Sequence, residues 1–257
     1  MGLFDAFKKK QCSICGGDIG LLGNRKLEDG NMCKNCAKKL SPFFSDRRNS
    51  TVAEIEAQLA YREENKQAVA AFRVTRSLGE DTKVLIDEDA GKFLVTDARN
   101  YVEENPDVLD FSQVTGVDLD IDEDQSEAMR EDKDGNEVSY NPPKFFFTYD
   151  FHVVIRVNHP YFDEIRFRLN SSDVEVNPNN PLPQMRKPNP KLHPEYREYE
   201  RMGSEIKRIL TEARQQVRAE AKAAAAPKQA QTCPWCGATT TPDANGCCEY
   251  CGGAVQS

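Results

Sequence analysis

The apolar and polar positions change period along the chain. In residues 50–72, Ile55, Leu59, Val69 and Phe72 give an imperfect helical face, and Thr51 with Glu54 makes a T-x-x-E capping box, so a connecting helix is expected. From 73 to 169 the period becomes two. Val117, Leu119 and Ile121 alternate with Asp118, Asp120 and Asp122, and Ile165, Phe167 and Leu169 alternate with Arg166 and Arg168. That is the pattern of half-buried antiparallel strands. Strands are expected at 73–78, 83–86, 92–96, 108–111, 115–122, 145–157 and 164–169, with a hairpin tip at Asp134-Gly135-Asn136.

Residues 170–192 are crowded with proline and asparagine and read as a loop or linker. A long helix is expected over 193–226, with Pro194 in its first turn and Tyr199, Met202, Ile206, Ile209, Ala213 and Val217 at 3–4 spacing. Its near half packs on the sheet. Its far half is alanine and charge, a solvated spacer ending at Pro227.

The two ends, 1–49 and 227–257, follow neither period and hold all nine cysteines. Cys12, Cys15, Cys33 and Cys36 form C-x2-C-x17-C-x2-C. Cys233, Cys236, Cys248 and Cys251 form C-x2-C-x11-C-x2-C. A C-x2-C turn aims two thiolates at one ion, and two such turns complete a tetrahedron around zinc. Glycines after the pairs (Gly16 and Gly17, Gly237, Gly252 and Gly253) let the backbone wrap the metal. Cys247 is left over, and the C-x2-C register favours Cys248 over it as the ligand. Two structural Zn2+ ions are expected, because a four-cysteine site leaves no open position for chemistry.

In the first module, the Asp29-Gly30 turn and a short helix carrying Cys33 and Cys36 complete a knuckle, a hairpin and a helix, the outline of a treble-clef finger. Seven short strands followed by one helix is the element order of a pleckstrin-homology-like barrel, although other small barrels fit the same order. The expected fold class is therefore α+β and multi-module. It comprises a treble-clef-like finger, a small antiparallel β-barrel with a long C-terminal helix, and a C-terminal zinc ribbon.

Cys12-Ser-Ile-Cys15-Gly-Gly, Ile19-Gly-Leu-Leu-Gly-Asn-Arg-Lys-Leu and Cys33-Lys-Asn-Cys36 resemble an uncharacterised family of Gram-positive bacteria whose members open with a four-cysteine module. The likeness continues through the strands and the Cys-Pro-Trp-Cys-Gly ribbon. It implies zinc binding and a barrel-like centre, and it carries no activity. The Cys12–Cys36 spacing is also similar to that of GATA-type fingers, though the tryptophan-bearing hairpin and extended basic tail of those proteins are missing.

Across 257 residues the formal net charge is −8. Residues 1–49 hold ten basic and five acidic residues, whereas 79–138 hold twenty acidic and five basic. The acidic stretch repels phosphate backbones and anionic lipid heads, which confines any nucleic-acid contact to the first module. Neither a membrane-spanning run nor a secretory signal is read, and the expected location is cytoplasmic. The arm MGLFDAFKKK is too short to anchor by itself, and Ala6 breaks the myristoylation pattern.

His152, His159 and His193 read as structural, and no nucleophile elbow, zinc-protease helix or phosphate loop is present. The Asp118–Asp124 run fails as a calcium loop, lacking glycine at the sixth position and carrying Met129 at the twelfth. The expected function is a non-enzymatic adapter that binds a protein partner, with Trp235 as an exposed anchor. The alternative is nucleic-acid binding by the first module through Arg25, Lys26, Lys34, Lys38, Lys39, Arg47 and Arg48.

Overall fold

A computed structural model describes residues 10–20, 22–225, 230–243 and 245–255. The chain divides into two compact units, Met1–Gln215 and Gln216–Ser257. The N-terminal arm preceding Lys10, and Pro227, lie outside the described residues.

The first unit opens with two small ribbons. β1 (Lys10–Gln11) pairs β2 (Asp18–Ile19), and β3 (Arg25–Lys26) pairs β4 (Asn31–Met32). A one-turn helix, α1 (Lys34–Ala37), follows with Cys33 at its N-cap. Leu27 and Met32 are fully buried beside Cys12, Ile19, Cys36 and Leu40, and Ile55 of the next helix closes this core. Gly30 is required at the hairpin turn, because a Cβ there would lie 2.6 Å from Ser13 Oγ and 2.7 Å from Val52 Cγ2.

Helix α2 (Val52–Ala71) starts at the expected capping box. Thr51 N donates to Glu54 Oε2 at 2.7 Å, and Glu54 N donates to Thr51 Oγ1 at 3.3 Å. Its buried stripe is Ile55, Gln58, Arg62, Asn65 and Val69, apolar at the ends and polar in the middle. The polar middle joins two regions. Arg62 donates to Asp107 Oδ1 (2.7 Å), to Asn105 O and to Lys39 O (3.3 Å). Ser41 Oγ donates to Asp107 Oδ2 at 2.7 Å, and Tyr61 OH to Asp107 Oδ1 at 3.1 Å. Asn65 bonds Asn105, Pro106 O and Val108 N. The cysteine module is thus bolted to the strand region through one helix face.

The strand region contains two open sheets. β5 (Arg76–Gly79), β6 (Lys83–Asp87), β7 (Lys92–Thr96) and, after the short α3 (Tyr101–Glu104), β8 (Leu109–Asp110) form an antiparallel meander. The second sheet is organised by β12 (Lys144–Val157). β9 (Val114–Glu127) runs along one edge of it, and β10 (Met129–Glu131) with β11 (Glu137–Ser139) closes the hairpin tip at Gly135. The other edge takes β13 (Glu164–Arg168), β14 (Val174–Glu175) and β15 (Leu182–Pro183) in turn. No ladder joins the sheets among the described residues, so the closed barrel expected from element order is corrected to two open sheets.

The Pro/Asn-rich stretch is laid against β12 rather than strung free. Proline prevents a continuous ladder there, and asparagine side chains take over its hydrogen bonds. Asn170 Oδ1 accepts from Phe151 N at 2.8 Å, and Asn177 Oδ1 accepts from Phe147 N at 3.0 Å.

Helix α4 (Pro194–Ala225) packs its first half on this sheet. Tyr196 meets Tyr149 and Phe151 with ring centroids 5.0 Å apart, and Tyr199 meets Phe151 at 5.7 Å. Gly203 allows the close approach: a Cβ there would come within 2.4 Å of Leu119 Cδ1. The second unit holds the end of α4 and a ribbon in which β16 (Gln231–Thr232) pairs β17 (Thr239–Thr240). Its core is Cys233, Cys248 and Val255.

Candidate metal centres

Three of the four C-x2-C pairs share one backbone knuckle. Cys12 N donates to Gly17 O (2.9 Å) and Gly16 N to Cys12 O (2.8 Å). The same two bonds recur at Cys233 with Ala238 and Gly237, and at Cys248 with Gly253 and Gly252. The turn requires a positive φ at its fifth residue, and Gly16 (71°), Gly237 (73°) and Gly252 (70°) supply it. The fourth pair, Cys33 and Cys36, rides instead on the N-terminus of α1. The first centre is therefore knuckle plus helix, and the second is two knuckles.

The sulfurs of Cys12, Cys15, Cys33 and Cys36 lie within 4.8 Å of one another, as do those of Cys233, Cys236, Cys248 and Cys251. All nine cysteines are free thiols. Measured edges are 3.8 Å (Cys15–Cys33), 3.6 Å (Cys233–Cys251) and 3.8 Å (Cys236–Cys248). A tetrahedron with zinc–sulfur arms of about 2.3 Å has edges of about 3.8 Å, so both clusters fit that ion. Cys247 stands apart from the second group, its sulfur against Asn245 O at 3.9 Å.

Electrostatics point the same way. Burial pushes the Cys12 thiol up, but the N–H groups of Cys15, Cys33 and Ile14 outweigh it and bring its pKa to about 6. Burial, followed by the neighbouring sulfurs, drives Cys36 strongly upward. In the ribbon, backbone N–H groups of Tyr250 and Cys251 overcome burial to bring Cys248 to about 6. The Gly253 N–H favours the Cys251 thiolate, yet the sulfurs of Cys236 and Cys233 push it up to about 12. Each cluster thus sets a favoured thiolate, Cys12 or Cys248, beside a disfavoured one, Cys36 or Cys251, and a central dication would remove that conflict.

The acidic run has another partner. Asp118 pairs Arg156 (2.6 Å) and Lys207 (3.0 Å), Asp120 pairs Arg166 (2.6 Å), and Asp122 meets Arg166 (3.3 Å) and His152 Nδ1 (3.1 Å). These cations come from β12, β13 and α4, outside the stretch whose net charge is so negative. Three carboxylates of the acidic stretch are thus paired in a cross-strand ladder, neutralised diagonally as antiparallel pairing allows.

The histidines fall into packing roles. His159 stacks on Phe162 (centroids 4.1 Å apart) and meets Tyr61 edge-on at 5.1 Å; His193 caps a short turn. Trp235 is 74% exposed on the first ribbon knuckle, its Nε1 donating to Ala254 O at 3.1 Å. The sequence reading missed Tyr250, 71% exposed on the second knuckle. The signal was present: each ribbon knuckle places an aromatic residue immediately before its second cysteine.

A protein-family model described as "Domain of unknown function (DUF4428)" matches residues 10–58, which cover the first cluster and the start of α2. No curated protein and no solved structure matches the chain. Among the described residues, no helix is long and apolar enough to cross a membrane.

Proposed function

We propose that this chain is a zinc-binding, non-enzymatic adapter: two structural Zn2+ ions hold the end modules, and the ribbon offers a rigid knuckle to a protein partner. The observation that carries the reading is Trp235, largely exposed yet fixed by its bond to Ala254 O. A large aromatic held in place outside the core has the character of an interface anchor. In chain order, a four-strand meander, a second open sheet built on β12 and a C-terminal helix follow the first zinc module and precede the ribbon, an order similar to that of pleckstrin-homology-like domains. Unpaired thiols throughout suit a cytoplasmic setting. The resemblance to the Gram-positive bacterial family belongs to the same reading.

Capture of native partners by the full chain and by Trp235→Ala tests the proposal. Loss of a discrete protein partner with zinc content unchanged supports it. Unchanged capture removes the anchor.

A second reading is nucleic-acid binding by the first module. It is favoured by Arg47, whose guanidinium bonds Lys26 O and sits among the charges of Arg25 and Arg48. Like charges gathered in this way suit a phosphate backbone. This reading requires affinity that falls steeply with salt and partners that are lost on nuclease treatment.

A further inference from the structure

The ribbon repeats one arrangement twice. Trp235 precedes Cys236 and Tyr250 precedes Cys251, and both rings stay outside the core formed by Cys233, Cys248 and Val255. Trp235 leans on the second knuckle, where a Cβ at Gly253 would come within 2.6 Å of its Cδ1 and 2.9 Å of its Cγ. The indole is therefore seated on one side by a glycine that leaves room for it, while most of its area meets solvent.

Charge narrows the occupant. From residue 230 to 257 the sequence contains Asp243 and Glu249 and no lysine or arginine. Asp243 serves its own turn, accepting from Asn245 N at 2.8 Å and Cys247 N at 2.9 Å. Glu249 falls between Cys248 and Tyr250 in the sequence and is exposed, as Tyr250 is. An anionic partner would meet no lysine or arginine among the described residues of the ribbon, 230–243 and 245–255. An apolar partner would strip water from Glu249 without replacing it. A guanidinium or ammonium group gains from the ring faces and from the carboxylate together.

We propose that Trp235, Tyr250 and Glu249 form a docking surface for an arginine- or lysine-bearing segment of a partner protein. The proposal rests on the adapter reading and supplies the partner's chemistry. Arginine is the better fit, because its planar guanidinium stacks on rings as well as pairing with a carboxylate.

Trp235 is the only tryptophan, so selectively excited tryptophan fluorescence of the zinc-loaded full chain reports this surface. The probes are Gly/Ser peptides carrying regularly spaced arginine, lysine, glutamate or proline. The expected result is a saturable change in emission with the arginine peptide, a weaker one with lysine and none with glutamate or proline. In Tyr250→Ala and in Glu249→Gln the affinity for the arginine peptide falls about tenfold or more, as for an interface anchor. Tyr250→Phe keeps the ring and retains binding, which separates lost contact from lost fold.

Absence of a response to arginine, or an equal response to glutamate or proline, overturns the proposal. If native capture still depends on Trp235 in that case, the adapter reading survives with another partner chemistry. If capture is indifferent to Trp235, the adapter reading itself has failed.

Discussion

Arg62 and Asp107 form an ion pair sealed inside the first unit: Nη1 lies 2.7 Å from Oδ1, with 8% of the arginine side chain and none of the aspartate exposed. Such a pair contributes little net stability against an apolar replacement, but removing one partner strands a buried charge. Asp107→Ala should therefore destabilise the fold by about 3–5 kcal/mol in urea unfolding. Ser41 and Tyr61 lose their acceptor at the same time, so removing Arg62 as well recovers only part of the loss. The exposed Arg166–Asp120 pair is the contrast, and Arg166→Ala should shift stability by about 1 kcal/mol or less. Similar losses in the two variants would contradict the assignment of Asp107 as the bolt.

Metal analysis should find two zinc ions per chain. Cys12→Ser and Cys248→Ser should each lose one ion, while Cys247→Ser retains both, since its sulfur stands outside the cluster. Modules this small draw much of their folding energy from the metal. Chelation should consequently abolish the protease resistance of both ends.

Stability should decline on mild acidification because of His159. Burial holds its pKa below the ordinary 6.5, with the Asp107 charge opposing. The folded state then binds fewer protons than the unfolded one, so the contribution is complete above the unfolded value and is lost as pH falls below it. The carboxylates of Asp87 and Asp118 are held below the ordinary carboxylate value, outside this window, while the Cys12 and Cys248 thiols at about 6 contribute equally to the native chain and to a His159 variant. Urea unfolding at pH 7 and pH 5.5 should show the decline in the native chain and a smaller one in His159→Phe. Equal declines would remove His159 as the cause.

The close approach of α4 to β9 can be measured at Gly203. Its added Cβ would lie 2.4 Å from Leu119 Cδ1, so Gly203→Val must displace the Leu119 side chain or the helix. Overpacking of this kind costs about 1–3 kcal/mol. Gly203→Val combined with Leu119→Ala should recover part of the loss, which a double-mutant cycle reads directly.

Asn170 and Asn177 act as substitutes for strand backbone. Asn170→Ala should leave the buried Phe151 N–H without its acceptor and cost about 1–3 kcal/mol. A change indistinguishable from that at an exposed residue such as Asn179 would show that the bond is dispensable.

Local chemistry was legible without coordinates. Cysteine spacing identified both clusters, because two C-x2-C turns constrain sulfur positions over a few residues. The period-two alternation marked β9, β12 and β13, because a strand shows its two faces in neighbouring side chains. The Thr51–Glu54 box located the start of α2, since a cap depends on residues three apart. Tertiary structure alone decided the rest. Arg62, Asn65 and Asp107 look like solvated polar residues until helix, module and loop converge and satisfy them with one another. Arg166 answers Asp120 and Asp122 only because β12 lies between their strands, and Asn170 becomes part of a ladder only once folded against Phe151. Sheet closure was likewise beyond reach: element order specifies which strands are neighbours in the chain, whereas hydrogen bonding between distant edges determines whether a sheet closes, and here the two sheets stay open.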